Sequence, residues 1–321
     1  MFGSQILEVG VGLVLVFLIF SVMLTSAQEL IENRLKTRAV EFERGIRQLL
    51  HDTEGRGLVK EFYHHPLIYP MFRDAFPDPD LKHSQRRNLP SYMPAASFAL
   101  AVLDLERTGK ITSVDHPEVY SVVQQAKAAV GDEADRVRKY LEFWFDSAME
   151  RVSGSYKRST QVRVFVLAIA LSIGLNVNTL TIAESLTQDD ALRQTVVAHA
   201  EAQARAATPD TQAETFASLK ARYGEIENLG LPIGWTERNR EHVMAAFRCP
   251  GGGVCVGAVA SGLSLMVGWL LTAIAISLGA PFWFDVLNKF MVLRATTKPF
   301  EKTPPEASED RQLRNANSAA K

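Results

Sequence analysis

The sequence predicts an all-α integral membrane protein, with three transmembrane helices, a helical cytoplasmic domain and a helical periplasmic hairpin. Three observations predict it. The chain of 321 residues holds three stretches without Asp, Glu, Lys or Arg, each at least the roughly 20 residues that cross a hydrocarbon core about 30 Å thick. Lys and Arg are distributed unevenly on the flanks of those stretches. Between the stretches, apolar residues recur at spacings of three and four, the period of a helix face.

Bulk composition decides less. The chain is 47% hydrophobic with a formal net charge of −1. It has no basic excess that would point to nucleic acid, so the expected partners are a lipid bilayer and protein.

The first apolar stretch, Val9 to Gln28, gives an N-terminal transmembrane helix over residues 1–28. A cleaved signal peptide would carry Lys or Arg ahead of its apolar run, and none precedes this one. The second stretch, Val164 to Ala183, gives a transmembrane helix over 164–183. Asn176 and Asn178 lie inside it. Polar side chains in hydrocarbon face protein or water, so interhelical hydrogen bonding is expected, with pore lining as the alternative. The third stretch, Cys249 to Phe284, gives a transmembrane helix over 249–284. Gly253, Gly257 and Ser261 recur there every fourth residue, a spacing that lets helix backbones approach closely.

Flanking cations set an orientation. Arg34, Lys36, Arg38, Arg44 and Arg47 follow the first stretch, Arg151, Lys157, Arg158 and Arg163 lead to the second, and Lys289, Arg294, Lys298 and Lys302 follow the third. The opposite flanks carry only Arg193, Arg238, Arg240 and Arg248. Positive flanks stay in the cytoplasm. The expectation is a bacterial inner membrane protein with a periplasmic N-terminus, a cytoplasmic segment 29–163, a periplasmic segment 184–248 and a cytoplasmic C-terminus. Cys249 and Cys255 would then lie on the oxidising side, where a disulfide can form.

Within 29–163, Ile31, Leu35, Ala39, Phe42, Ile46 and Leu49 make one apolar helical face, for packing within the chain or for pairing in a homo-oligomer. Pro94 and Gly109 bracket a helix. Leu141, Trp144, Phe145, Ala148, Met149 and Val152 form the face of another, within 132–156. Segment 184–248 predicts two polar helices, 188–206 and 210–224, as a hairpin on the membrane. Residues 285–298 predict an interfacial cytoplasmic helix, and 299–321 a disordered tail.

Phe-Trp-Phe-Asp occurs at 143–146 and again at 282–285. Trp favours the membrane–water interface, so Trp144, Asp146, Trp283 and Asp285 are expected to be interfacial anchors. The flanking residues differ, which excludes an extended repeat. His64 and His65 are adjacent, outside any metal-ligand spacing. No metal, cofactor or catalytic residue is expected.

Glu150 to Arg158 (ERVSGSYKR), Pro90 to Asp104 (PSYMPAASFALAVLD) and the GAPFWFD stretch ending at Asp285 resemble motifs of a group of uncharacterised bacterial multi-span inner-membrane proteins. Ser155 stands where that group tends to carry Trp, and Ala96-Ser97 where it tends to carry Arg-Thr. The resemblance implies a location and no activity. The functional expectation is a non-enzymatic membrane scaffold or sensor whose cytoplasmic domain binds a partner. The alternatives are an oligomeric pore or membrane-perturbing effector and, third, an enzyme acting on lipid.

Overall fold

The computed structural model describes residues 2–72, 88–131, 133–205, 224, 229–246 and 256–297. Cys249, Gly253, Cys255, most of 206–228 and the tail 299–321 lie outside the described residues. The regular elements among the described residues are all helical: α1 (Phe2–Leu35), α2 (Thr37–Leu49), α3 (Leu58–Tyr63), a 3-10 turn (Tyr69–Met71), α4 (Ala95–Arg107), α5 (Pro117–Val130), α6 (Ala134–Gly174), α7 (Thr179–Gln188), α8 (Asp190–Arg205), α9 (Glu237–Ala246), α10 (Val256–Ser277) and α11 (Ala280–Thr297). The chain divides into two compact units. One holds residues 23–173 with 213–215, and the other holds 1–22, 174–212 and 216–321.

In the first unit, local chemistry sets the helix ends. Lys36 sits in the left-handed region at φ 49° and separates α1 from α2. Glu32 receives the Thr37 hydroxyl and the Arg38 N–H at that break. Pro94 precedes α4, and Gly109 closes it at φ 75°. Gly131 closes α5 at φ 79°. The core is built around Phe98, whose ring lies 5.3 Å from Phe62, 4.6 Å from Phe145 and 5.8 Å from Trp144. Ile46, Leu50, Leu58, Val102, Val123 and Leu141 complete it. Glu43 is buried and pairs with Arg47, and burial pushes the Glu43 carboxyl above its usual range.

α6 runs without interruption from the core of this unit to Gly174. The apolar stretch 164–183 is therefore not one straight helix. It is shared between α6 and α7, which meet at a 48° bend.

In the second unit, the N-terminal half of α1 is the central element. Val14, Leu15, Val16, Phe17 and Leu18 are all buried although they are consecutive, so neighbours cover every face of this turn. Gly12 admits Leu186 of α7 and Val196 of α8, whose methyl carbons would lie 2.8 and 3.3 Å from an added Cβ. Gly10 faces the Phe290 ring of α11. Phe17 packs on Trp283 with centroids 4.7 Å apart, and the Ser21 hydroxyl donates to the Ile276 carbonyl at 3.1 Å. The chain turns at Gly279, φ 90°. The order of these contacts makes α11 antiparallel to this half of α1.

Among the described residues two helices, Gln5–Leu35 and Val259–Ser277, are long and apolar enough to cross a membrane, and the bent α6–α7 pair makes a third if taken as one span. Their surroundings differ. The apolar window of α1 is 61% buried inside the protein, and that of α10 is 39%. Val259, Leu263, Met266, Leu270 and Ile274 are exposed on α10 at helical spacing. Gly262, Leu265, Gly268, Thr272 and Ile276 form the covered face.

Candidate functional site

The break between α6 and α7 is held by polar side chains. Asn176 takes a left-handed conformation, φ 46°, which Asn tolerates better than most residues. Its Nδ2 donates to the Gly234 carbonyl at 3.1 Å, and its Oδ1 accepts from Trp269 Nε1 at 3.2 Å. Asn178 is the N-cap of α7. Its Oδ1 accepts from the backbone N–H groups of Leu180 and Thr181, and its Nδ2 donates to the Leu265 carbonyl at 3.0 Å. The Thr179 N–H donates to Thr272 Oγ1 at 3.0 Å, and that hydroxyl donates to the Gly268 carbonyl at 2.9 Å. Trp235 Nε1 donates to the Gly174 carbonyl at 3.0 Å. Each Asn amide thus has its oxygen and its nitrogen engaged by protein, and backbone groups freed by the break find partners, as a polar break in an apolar setting requires.

A second polar cluster joins both ends of the unit. Arg193 is buried, and donates to Glu8 at 3.2 Å, to the Leu186 carbonyl at 2.9 Å and to Asp190. Arg294 pairs with Glu201 and lies 3.8 Å from Glu8. The flank count sets Glu8 and Arg294 on opposite sides of a bilayer; here the two side chains meet.

In the first unit, α2 and α6 cross at Gly45. An added Cβ there would lie 2.7 Å from Val152 Cγ2 and 3.3 Å from Met149 Cε. On one flank of the crossing is a cleft of about 360 Å³, with Phe42, Met93, Phe145 and Met149 as its apolar floor and Arg38, Asp146 and Ser153 among its rim residues. Tyr92, 68% exposed, and Tyr156 also line it. The Arg163 guanidinium lies 5.6 Å above the Tyr156 ring. Ser91, Tyr92 and Met93 belong to the stretch 90–104, and Ser153 and Tyr156 to the stretch 150–158, so two segments distant in sequence build one cleft. Neither tyrosine was singled out from the sequence. The signal in the sequence is an aromatic residue between Pro90 and Pro94.

The remaining expected residues are placed as follows. Trp144 is half-buried on Phe98 in the helical core, and Asp146 is exposed. Trp283 packs on Phe17 and donates its Nε1 hydrogen to the Ala275 carbonyl at 2.6 Å, closing the C-terminus of α10. Asp285 is exposed. The two Phe-Trp-Phe-Asp copies therefore do different work. Ser261 is exposed; the small residue at the tightest contact of α10 is Gly268. Gly257 lies in the first turn of α10. His64 Nδ1 meets the Lys60 carbonyl at 2.7 Å, while His65 Nε2 meets Asp104 at 3.2 Å, so the adjacent imidazoles serve separate partners. Among the described residues, no three His, Cys, Asp or Glu side chains are grouped to hold a metal.

Comparison with protein-family models, with curated proteins and with solved structures finds no match.

Proposed function

We propose that this chain is a non-enzymatic integral membrane scaffold or sensor, and that residues 29–163 bind a protein partner through the cleft beside the α2–α6 crossing. The carrying observation is the composition of that cleft. Two tyrosines border an apolar floor that includes two methionines, with Arg38, Glu41 and Asp146 as the charged lining. Tyr, Met and Arg are enriched at interfaces, and rim charges add specificity. The apolar stripe from Val259 to Ile274 supports insertion in a membrane, because such a face is stable against lipid and costly against water. Engagement of both Asn amides supports a packing role over pore lining.

A bacterial inner membrane is the location that the resemblance and the flanking cations support, with 29–163 in the cytoplasm. The Glu8–Arg294 contact supports both chain ends on the periplasmic side, in place of a cytoplasmic C-terminus. Reporters fused at either end of the chain should then report the same compartment.

The partner reading is tested by affinity purification from gently solubilised membranes, with mass measurement of the complex. A stoichiometric partner is expected with the native chain and lost with Tyr92→Ala combined with Tyr156→Ala. A mass accounted for by copies of this chain alone overturns the reading.

A further inference from the structure

On the other flank of the α2–α6 crossing lies a larger groove of about 600 Å³. Its lining is cationic and rich in donors. Arg44 and Arg151 face it with His51, Gln48 and Ser155, and the one carboxylate, Glu41, is already paired with Arg44 at 2.9 Å. Arg151, Gln48, His51 and Ser155 make no side-chain hydrogen bond or ion pair among the described residues. One wall is the Trp144 ring, held in place by Phe98. His51 stands just past the C-terminus of α2 at φ 53°, a helix-end conformation that usually goes to Gly or Asn. Strained backbone of this kind concentrates where a side chain is needed at one place.

We propose that this groove binds a small soluble phosphate-bearing molecule with a flat apolar part. The anion would be held by Arg151, with His51, Gln48 and Ser155 as further donors, and the flat part would lie on Trp144. Guanidinium groups suit phosphate because they donate two parallel hydrogen bonds. A lipid headgroup has the same phosphate chemistry, but reach disfavours it. Arg151 precedes Val164 on one uninterrupted helix, about 20 Å away at 1.5 Å per residue, whereas a headgroup layer is only about 6 Å deep. This inference is independent of the partner cleft.

Calorimetric titration of the full chain in detergent micelles tests it, with adenosine monophosphate and inorganic phosphate as soluble probes. Nanodiscs with and without phosphatidylglycerol form a separate arm. Saturable binding of the nucleotide, tighter than that of phosphate, is expected. Arg151→Gln should weaken it about ten- to a hundredfold, the loss of one charge-assisted pair. Arg136→Gln removes the same charge from the same helix about 22 Å away at 1.5 Å per residue and should leave binding within about twofold, as an exposed charge beyond the screening length does. Equal losses in the two variants, or no saturable binding of either soluble probe, overturn the proposal. A response confined to phosphatidylglycerol nanodiscs overturns it in favour of a lipid headgroup.

Discussion

Asn178 and Gly268 are a matched pair: a Cβ on residue 268 would lie 2.0 Å from Asn178 Oδ1 and 2.6 Å from its Nδ2. The Asn side chain that caps α7 therefore occupies the space that only glycine leaves open on α10. Gly268→Ala should destabilise the protein by about 1–3 kcal/mol, the usual cost of overpacking. Asn178→Ala should cost about 0.5–2 kcal/mol as a lost cap. The two residues touch, so the double variant should lose less than the sum of the single losses. Thermal unfolding in detergent measures all three, and strict additivity would contradict the packing described.

The buried Glu43–Arg47 pair predicts an asymmetry. Arg47→Ala leaves a buried carboxylate without its cation and should cost about 3–5 kcal/mol. Glu43→Gln keeps an acceptor and loses the charge, so it should cost much less.

The pH dependence of Arg47→Ala follows from the same pair. Burial raises the Glu43 carboxyl above 4.5 in the folded chain. A raised folded value means that protonation favours folding: the contribution is complete below pH 4.5 and is lost as pH rises through the folded value. Chemical denaturation of Arg47→Ala should therefore show its deficit against the native chain shrinking as pH falls from 7 toward 4.5. A deficit that grows on acidification would contradict this.

The adjacent histidines should separate in a stability measurement. His65 is buried, donates to Asp104 through Nε2 and accepts the Leu67 N–H on Nδ1. His65→Ala should cost about 1–3 kcal/mol, the price of buried polar groups left unpaired. His64 is exposed, and His64→Ala should fall within about 0.5 kcal/mol of the native chain, as surface substitutions do. Asp104 is held below the usual carboxylate range by Arg107 and then by His65. Its contribution is present above pH 3.8 and lost as pH falls through the lowered value. Equal losses for the two alanine variants would contradict this separation.

Arg193 should behave as a buried ion with fixed partners. Arg193→Met removes the guanidinium donors to Glu8, which keeps Arg294 at 3.8 Å, and to the Leu186 carbonyl, and should cost about 1–3 kcal/mol. With Glu8→Gln added, the total should be less than the sum of the two single losses, because the two side chains share a hydrogen bond. Unfolding curves of the two variants at low and high salt check this. A loss that vanishes in high salt would mean an exposed, screened pair.

Several features were legible in the sequence because they depend on neighbours within a few residues. Pro94 and Gly109 bracket α4, since one removes a backbone N–H and the other tolerates positive φ. The face from Leu141 to Val152 is the buried side of α6, since a helix repeats every 3.6 residues. Asn176 and Asn178 stand out in the sequence as polar residues in an apolar stretch, whereas the break they make is not visible in its hydropathy. Two Asn residues flanking Val177 carry that signal, one suited to left-handed φ and the other to a cap.

The partners of those residues were hidden, because pairing depends on contacts far apart in the chain. Leu265 and Gly234 take up the Asn amides from 87 and 58 residues away. The same applies to the cleft that joins Tyr92 to Tyr156, to the different uses of Trp144 and Trp283, and to the return of α11 along α1. Helix length and apolarity are properties of single segments, so a helical chain with three apolar stretches could be read locally; among the described residues two of those stretches are unbroken helices long and apolar enough for a membrane. Tertiary packing is what covers residues 14–18 of α1 on every side and leaves α10 with an exposed apolar face. A helix's apolarity says that it must be covered, and the packing of Gly10, Gly12 and Phe17 against α7, α8 and α11 says which neighbours cover it.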